Sequence, residues 1–258
     1  METTAASILD AETMLASSWP SLRVAMSGHW VLGISDGLTG RANSLFFLNS
    51  KDDTNVAERL DWAEKTFRQA GLLPRIRLTP LAPVKVIEEI KRRGYVFQNP
   101  TMVLKCSLQR ASQFHDSAGS KIITFEKLKE DWLSCFVDAN PRYQESANRD
   151  ILVAMLRGMM TEVRYLMLLK DDEPVATSML TRQLYLANIQ NVSTKDGLRR
   201  KGFATTIMAA SQKSAQEMGA KMSWLAVEQG NQPALNLYKK LGYENFYTYI
   251  YASLENKD

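Results

Sequence analysis

The chain has 258 residues, of which 45% are hydrophobic, and its formal net charge is +4. This length suits one large domain or two small ones. No apolar run approaches the ~20 residues of a membrane-spanning helix, and the first residues lack the pattern of a secretion signal. The mild positive charge suits a small polyanionic ligand, but no basic stripe with interleaved aromatic residues is present. We therefore expect a soluble, cytoplasmic protein whose partners include neither a membrane nor a nucleic acid.

Few residues are available for metal binding or histidine-dependent catalysis. His29 and His115 are the only histidines, so a zinc site with several histidine ligands cannot be built, and a Ser–His or Cys–His pair would have to use one of them. Cys106 and Cys135 lack the spacing of a metal motif or a disulfide framework. Two isolated thiols are typical of a reducing compartment, and we expect no metal cofactor.

The first predicted elements lie between residues 28 and 48. Two apolar runs flank Asp36-Gly37, which indicates two strands joined by a turn at this dipeptide. Thr39, Arg41 and Asn43 occupy alternate positions, so they would share one face of a strand. Such a polar face is usually solvated, but it could instead form an acceptor-binding or inter-domain surface.

A helix, a strand and a second helix follow before a polar linker. The predicted elements are a helix over 57–70, a strand over 74–79 and a helix over 84–93. Gly71 and Gly94 would end the two helices. The polar stretch from Gln113 to Ser120 is typical of a linker. We therefore divide the chain into an N-terminal domain over 1–110, a linker over 111–120 and a C-terminal domain over 121–258.

The C-terminal domain has a longer series of predicted elements. In chain order they are a strand over 121–125, helices over 126–138 and 145–160, strands over 163–170, 175–181 and 184–194, a helix over 202–218, a strand over 221–227, a helix over 232–241 and a strand region over 243–254. Gly219 and Gly242 would end the last two helices.

A phosphate-binding loop is predicted between the fourth strand and the third helix of this domain. Residues 199–204 read Arg-Arg-Lys-Gly-Phe-Ala. The N-terminus of a helix offers unpaired N–H groups to an anion, and Gly202 and Ala204 leave room for a diphosphate to approach them. Phe203 stands where a Walker A loop needs lysine, and no strand–helix–strand repeat surrounds the loop, so NTP and dinucleotide sites are disfavoured. An ordinary basic turn is the alternative.

A second motif lies on the next predicted helix. Asn231, Ala234 and Tyr238 fall at i, i+3 and i+7, so they share one helix face. A structural interpretation is also available, in which Asn231 caps the helix, Pro233 lies in its first turn and Tyr238 belongs to the core. The two interpretations are compatible, because a capping residue can also contact a ligand.

Together the two motifs resemble the GNAT superfamily of N-acyltransferases. Residues 199–204 are similar to its acetyl-CoA diphosphate loop, Arg/Gln-x-x-Gly-x-Gly/Ala, and residues 231–243 are similar to its Asn-x-x-Ala-x-x-Leu-Tyr-x-x-x-Gly-Phe/Tyr box. The order of predicted elements in the C-terminal half also matches the family. The resemblance implies an α/β (α+β) fold with a mixed central β-sheet flanked by helices, and the activity of a GNAT-type acyltransferase.

The N-terminal half resembles a second, degenerate copy of the same fold. A single offset of 148 residues superposes Gly71 on Gly219 and Gly94 on Gly242, and an internal repeat of this kind outweighs local signals when a fold is assigned. Chance agreement of two short helix–strand–helix segments is the alternative. The positions that would bind acetyl-CoA hold unrelated residues in the N-terminal half: Lys51, Thr54, Val56, Pro83 and Ile90. We expect only the C-terminal half to bind the cosubstrate.

The resemblance implies direct transfer of an acetyl group from acetyl-CoA to a primary amine of a small molecule or peptide, in a ternary complex. Backbone groups at Val192 and Thr194 would hold the pantetheine arm like an added strand, and an amide near Val192 would polarise the thioester carbonyl. Tyr238 would protonate the departing thiolate. The implied cofactor-binding residues are Val192, Ser193, Thr194, Arg199, Arg200, Lys201, Gly202, Phe203, Ala204, Thr205, Asn231 and Ala234.

The general base is less well defined. Several members of the family carry glutamate where this chain has Ala226. Glu228 lies on the same strand face and is the nearest carboxylate, so it is the candidate catalytic base, although it could equally be an exposed strand-end charge. Asn188, Gln190 and Asn191 could instead hold a water molecule that relays the proton.

The acceptor is not identified by these motifs. The loop over 139–144, between the first two helices of the C-terminal half, is expected to line the acceptor pocket, and Arg142 in it permits a substrate that carries a carboxylate. Because the usual glutamate is missing, the alternative function is a non-catalytic, acyl-CoA-binding regulatory protein. The oligomeric state is not predicted.

Overall fold

A computed structural model describes residues 5–108 and 120–254 of the chain. The chain forms two compact units, one made of Met1–Met102 with Phe246–Asp258 and the other of Val103–Asn245. The predicted linker over 111–120 lies outside the described residues, except for Ser120, which begins a strand. The predicted domain limits therefore stay predictions, but the grouping differs from them in one respect, because the segment from Phe246 belongs to the first unit.

The first unit contains three helices and the strands that they flank. Its elements are α1 (Ala5–Ser18), β1 (Arg23–Ser27), β2 (Trp30–Ile34), β3 (Leu45–Phe47), α2 (Val56–Gln69), β4 (Arg75–Leu78), α3 (Val84–Arg92), the first part of β5 (Val96–Ser107) and most of β11 (Glu244–Ser253). Strand order is β1-β2-β3-β4-β11, and only the β3–β4 pair in this series is parallel. Trp30, Phe47, Leu60 and Phe67 are buried in its core.

The predicted hairpin between residues 28 and 48 is wrong in its second half. Residues 35–44 form a loop between β2 and β3 rather than a two-residue turn, and Thr39, Arg41 and Asn43 all lie in it. The buried Asn43 side chain explains the difference, because its Oδ1 accepts hydrogen bonds from the backbone N–H of Ser35 (2.6 Å) and Gly37 (3.0 Å). A side chain that binds nearby backbone groups in this way competes with strand pairing.

The second unit follows the predicted order of elements closely. Its elements are the end of β5, β6 (Ser120–Phe125), α4 (Glu130–Asp138), a short 3-10 helix (Pro141–Tyr143), α5 (Ser146–Arg157), β7 (Glu162–Lys170), β8 (Glu173–Gln183), β9 (Leu186–Thr194), α6 (Phe203–Glu217), β10 (Met222–Glu228) and α7 (Gln232–Lys240). Strand order is β10-β9-β8-β7-β6, with antiparallel pairs except for the parallel β9–β10 pair. Among the described residues, no helix is long and apolar enough to cross a bilayer.

The offset of 148 residues that relates the two halves of the sequence also relates their elements. Helices α3 and α7 begin and end at positions that differ by this number, and α2 and α6 end at such positions. The helices are closed by the same turn, since Tyr95 N donates to Ile90 O (3.1 Å) and Tyr243 N donates to Tyr238 O (3.0 Å). Each unit also has one parallel strand pair, β3–β4 and β9–β10. The sequence repeat therefore corresponds to a structural one.

Candidate functional site

Strands β9 and β10 separate part of the way along their length. Their register contains three pairs and ends with Trp224 opposite Asn188, although β9 continues to Thr194 and β10 to Glu228. The β10-facing edge of β9 therefore has no strand partner in this register from Ile189 onward. Such an edge can accept an extended ligand as an additional strand.

A β-bulge lies on β9 within this unpaired stretch. Gln190 pairs with Met179 and Ser193 pairs with Thr177 on β8, so two residues of β9, Asn191 and Val192, lie opposite one residue of β8. The backbone of Asn191 has a positive φ of 55°. A bulge re-aims backbone groups and is common beside active sites. It occurs where the sequence places the amide that would polarise a carbonyl, near Val192.

The loop after β9 leads into a helix N-terminus that no side chain caps. The first hydrogen bond of α6 runs from Thr206 N to Gly202 O (3.1 Å), so the N–H groups of residues 203–205 precede the helical hydrogen bonds. Gly202 has φ 86°, and a Cβ added there would meet no atom within 4 Å. Arg200 also has a positive φ, of 63°. Alternating backbone conformations of this kind form a concave set of N–H groups that suits an anion.

Basic side chains surround this helix N-terminus. Arg200 and Lys201 are exposed and form no ion pair within the described residues. Arg199 pairs with Asp196 of the same loop (2.9 Å), and both side chains are largely exposed. An exposed pair contributes little stability, so Arg199 can exchange its partner for a phosphate. The structure thus brings together the predicted loop residues 199–205.

Asn231 has the capping role that the sequence offered as one interpretation. Its Oδ1 accepts a hydrogen bond from Ala234 N (3.2 Å) at the start of α7, and Pro233 lies in the first turn. The Asn231 side chain is exposed, and Nδ2 forms no hydrogen bond within the described residues. The cap uses the acceptor of this amide and leaves its donor for a ligand.

Tyr238 is buried, with 9% of its surface exposed, and packs edge-on against Tyr243 at 5.9 Å between ring centroids. Its hydroxyl has no hydrogen-bond partner in the described part of the chain. Burial raises the pKa of Tyr238 to about 12. The phenol therefore stays protonated at neutral pH and can act as a hydrogen-bond or proton donor.

The candidate proton acceptors differ in their surroundings. Glu228 is exposed at the end of β10, and its backbone carbonyl accepts a hydrogen bond from Asn231 N (2.9 Å). Ala226 is half-buried two residues earlier. Asn188 is fully buried, and neither of its amide atoms has a partner among the described residues. An unpartnered buried amide is costly to stability.

One contact of this region is not predicted by the sequence. Asn140, which follows α4, donates a hydrogen bond from Nδ2 to Ser193 Oγ on β9 (2.7 Å). Fifty-three positions separate the two residues, so no local pattern could have revealed the contact. Ser193, predicted to bind the cofactor, thus also fixes the loop between α4 and α5.

The corresponding loop of the first unit has different chemistry. Asp52 and Asp53 precede α2 and pair with Arg59 (2.8 Å) and Lys85 (3.0 Å). The hydrogen bond from the Arg59 guanidinium lowers the pKa of Asp52 to about 2. Ionised carboxylates beside a helix N-terminus repel a phosphate. Within residues 5–108 and 120–254, no group of three or more His, Cys, Asp or Glu side chains is suited to a metal ion.

Comparison with known proteins identifies the family of the second unit. Residues 125–243 match the sequence profile of the acetyltransferase (GNAT) family. None of the curated proteins matches the chain. Among solved structures, a GCN5-related N-acetyltransferase from Kribbella flavida is 19% identical, with a TM-score of 0.74 over 99% of this chain and 97% of that chain.

A tandem protein has a similar fold over nearly the whole chain. This tandem GNAT protein from the clavulanic acid biosynthesis pathway, determined without AcCoA, is 10% identical, with a TM-score of 0.68 over 96% of this chain and 89% of that chain. The predicted fold class, a mixed α/β arrangement with two GNAT-like domains, is therefore confirmed.

Proposed function

We propose, from the premise that residues 125–243 form a domain of the acetyltransferase (GNAT) family, that this protein transfers an acetyl group from acetyl-CoA to a primary amine of a small molecule or peptide. The observation that carries the proposal is the continuity of two features on one strand. The unpaired edge of β9 ends at Thr194, and the uncapped N-terminus of α6 follows after eight residues. An extended arm on the strand and a diphosphate on the helix match these two features.

The acetyl donor is bound through both features. The diphosphate accepts hydrogen bonds from the N–H groups of residues 200–205, and Arg200 and Lys201 add charge. The pantetheine arm extends β9 through backbone groups at Val192 and Thr194. Asn231 donates its free Nδ2 hydrogens to an amide carbonyl of the arm, while the half-buried Ala234 leaves space beside α7.

The transfer itself is a direct attack in a ternary complex. The amine nitrogen forms a bond to the thioester carbon, and the re-aimed backbone at Asn191 and Val192 stabilises the negative charge that develops on oxygen. The carbon–sulfur bond then breaks, and Tyr238 gives its proton to the thiolate. Because burial keeps this phenol protonated, no other group has to supply that proton.

The amine must lose a proton during the attack. Glu228 is the carboxylate on β10 that lies nearest to the separated strands in sequence, and it is exposed, so it exchanges protons readily with solvent. The amides of Asn188, Gln190 and Asn191 offer a second route, through a bound water molecule. The half-buried Ala226 cannot act as the base that several relatives have at this position.

The binding site is tested by isothermal titration of CoA into the protein and two matched variants. Gly202→Glu puts a carboxylate at the N-terminus of α6, and Thr54→Glu puts one at the position of the first unit that is 148 residues earlier. We expect one CoA per chain, loss of binding in Gly202→Glu and unchanged binding in Thr54→Glu. Circular dichroism controls for folding. Equal effects of the two substitutions would refute the assigned loop.

Turnover is tested separately by thiol release from acetyl-CoA across a panel of primary amines. Release that depends on the amine supports the transferase. Intact CoA binding without release from any amine would instead support the non-catalytic, acyl-CoA-binding alternative, to which the missing glutamate at Ala226 also points.

A further inference from the structure

The turn between α4 and α5 is held rigidly beside β9. Asn140 Nδ2 donates to Phe136 O (2.6 Å) and to Ser193 Oγ (2.7 Å). The Tyr143 ring is buried and lies 5.3 Å from the Phe136 ring. At the other end of the turn, Asn148 Nδ2 donates to Arg142 O (3.0 Å). These contacts fix the backbone of the turn from both sides.

Arg142 is the basic residue of this fixed turn. Its side chain is exposed and forms no ion pair or side-chain hydrogen bond with any described residue. Glu145, three residues later, does not pair with it, although Asn148 Nδ2 also reaches Glu145 Oε2 (3.4 Å). By contrast, Arg149 on α5 pairs with Glu130. The turn therefore presents a guanidinium that no carboxylate of the described chain neutralises.

The position of Arg142 relative to β9 follows from the chain. Asn140 is hydrogen-bonded to Ser193, and two residues span at most about 7 Å. The backbone of Arg142 is therefore close to the β9 segment that carries the bulge and the unpaired edge, and its long side chain is within reach of a small molecule bound there. A guanidinium with free donors binds a carboxylate through two parallel hydrogen bonds.

We propose that Arg142 is a specificity-determining residue that binds the carboxylate of the acceptor, so that the acceptor is a small amino acid whose carboxylate lies a few bonds from its amine. This inference rests on the proposed acetyl transfer. Arg142 draws the acceptor to the turn and orients its amine toward β9, while the reacting bonds are those already described. A backbone fixed on both sides reduces the entropy lost when the guanidinium binds.

The experiment compares each acceptor with its uncharged counterpart. Thiol release from acetyl-CoA is measured with α-, β- and γ-amino acids and with the corresponding carboxamides, for the native protein, Arg142→Gln and Arg157→Gln. Arg157 is the matched control, because it is an exposed arginine at the end of α5 without an ion pair in the described structure. Loss of a charged hydrogen bond should raise KM for the best amino acid roughly 10- to 100-fold in Arg142→Gln.

The carboxamides separate recognition from a general defect. We expect KM for the carboxamide, kcat for both acceptors and the melting temperature to stay close to native values in Arg142→Gln, and all constants to stay native in Arg157→Gln. Equal KM for acid and carboxamide in the native protein would overturn the inference and leave the acetyl transfer standing. An equal effect of Arg142→Gln on both acceptors would overturn it in the same way. No release with any amine would overturn the proposed function, and this inference with it.

Discussion

Replacement of Tyr238 by phenylalanine tests the chemical step with little disturbance of the fold. The hydroxyl has no partner among the described residues, so its removal leaves no donor or acceptor unsatisfied, and the free energy of unfolding should change by no more than about 1 kcal/mol. A positioned proton donor accelerates a reaction by about 10²- to 10⁴-fold. We therefore expect kcat for thiol release to fall by this factor, which is about 2.7–5.5 kcal/mol of barrier.

The matched control is Tyr165→Phe. Tyr165 is buried on β7 in the same unit, packs against Trp132 at 4.9 Å, and also has a pKa raised to about 12 by burial. It lies on no element of the candidate site, so Tyr165→Phe should keep the native kcat. Thermal melting of both variants controls for folding.

The pH profile gives a second readout of the same role. Because burial raises the pKa of Tyr238 from 10 to about 12, its protonated form persists as the pH rises from about 8 to about 10. Any loss of kcat over this interval must have another origin and should also occur in Tyr238→Phe. A native kcat in Tyr238→Phe, together with unchanged CoA binding, would refute the assignment of Tyr238 as the acid.

Three further predictions address other residues. Asn231→Asp keeps the capping oxygen and loses the Nδ2 donor, so the melting temperature should stay native while CoA affinity in titration falls; a lower melting temperature with native affinity would show that only the cap matters. Asn188→Leu removes a buried amide without partners among the described residues and should raise the free energy of unfolding in urea by about 1–3 kcal/mol; destabilisation would show that the amide has a partner. The lowered pKa of Asp52 means that its ionised form stabilises the fold at pH values above its unfolded pKa near 3.8, and that this contribution is lost as the pH falls toward about 2. Acid unfolding of Asp52→Asn should lack that loss, and an unchanged acid limb would contradict it.

Much of the second unit could be predicted because its signals are local. The sequence predicts helix α7 over 232–241, and the helix is found over Gln232–Lys240, since its cap, its first-turn proline and the glycine that ends it all lie within a dozen residues. The same offset of 148 residues then locates α3. Element order, periodicity and helix ends are properties that neighbouring residues determine.

The unpredicted features depend on residues that are distant in sequence or on side chains that oppose the local pattern. The alternation around Asn43 imitates a strand, but its amide binds the backbone of Ser35 and Gly37 instead. The Asn140–Ser193 contact and the isolation of the Tyr238 hydroxyl follow from tertiary packing. At the site, the sequence could therefore identify candidate residues but not the partners of their side chains.

The membership of β11 in the first unit has a consequence for synthesis of the chain. Residues 75–78 of β4 pair with residues 250–253 of β11, so the first unit lacks a strand until almost all of the chain has left the ribosome. Domains usually fold one after another from the N-terminus during translation. Here the order is reversed for completion of the sheet, because the unit that begins first must wait for the strand that is made last.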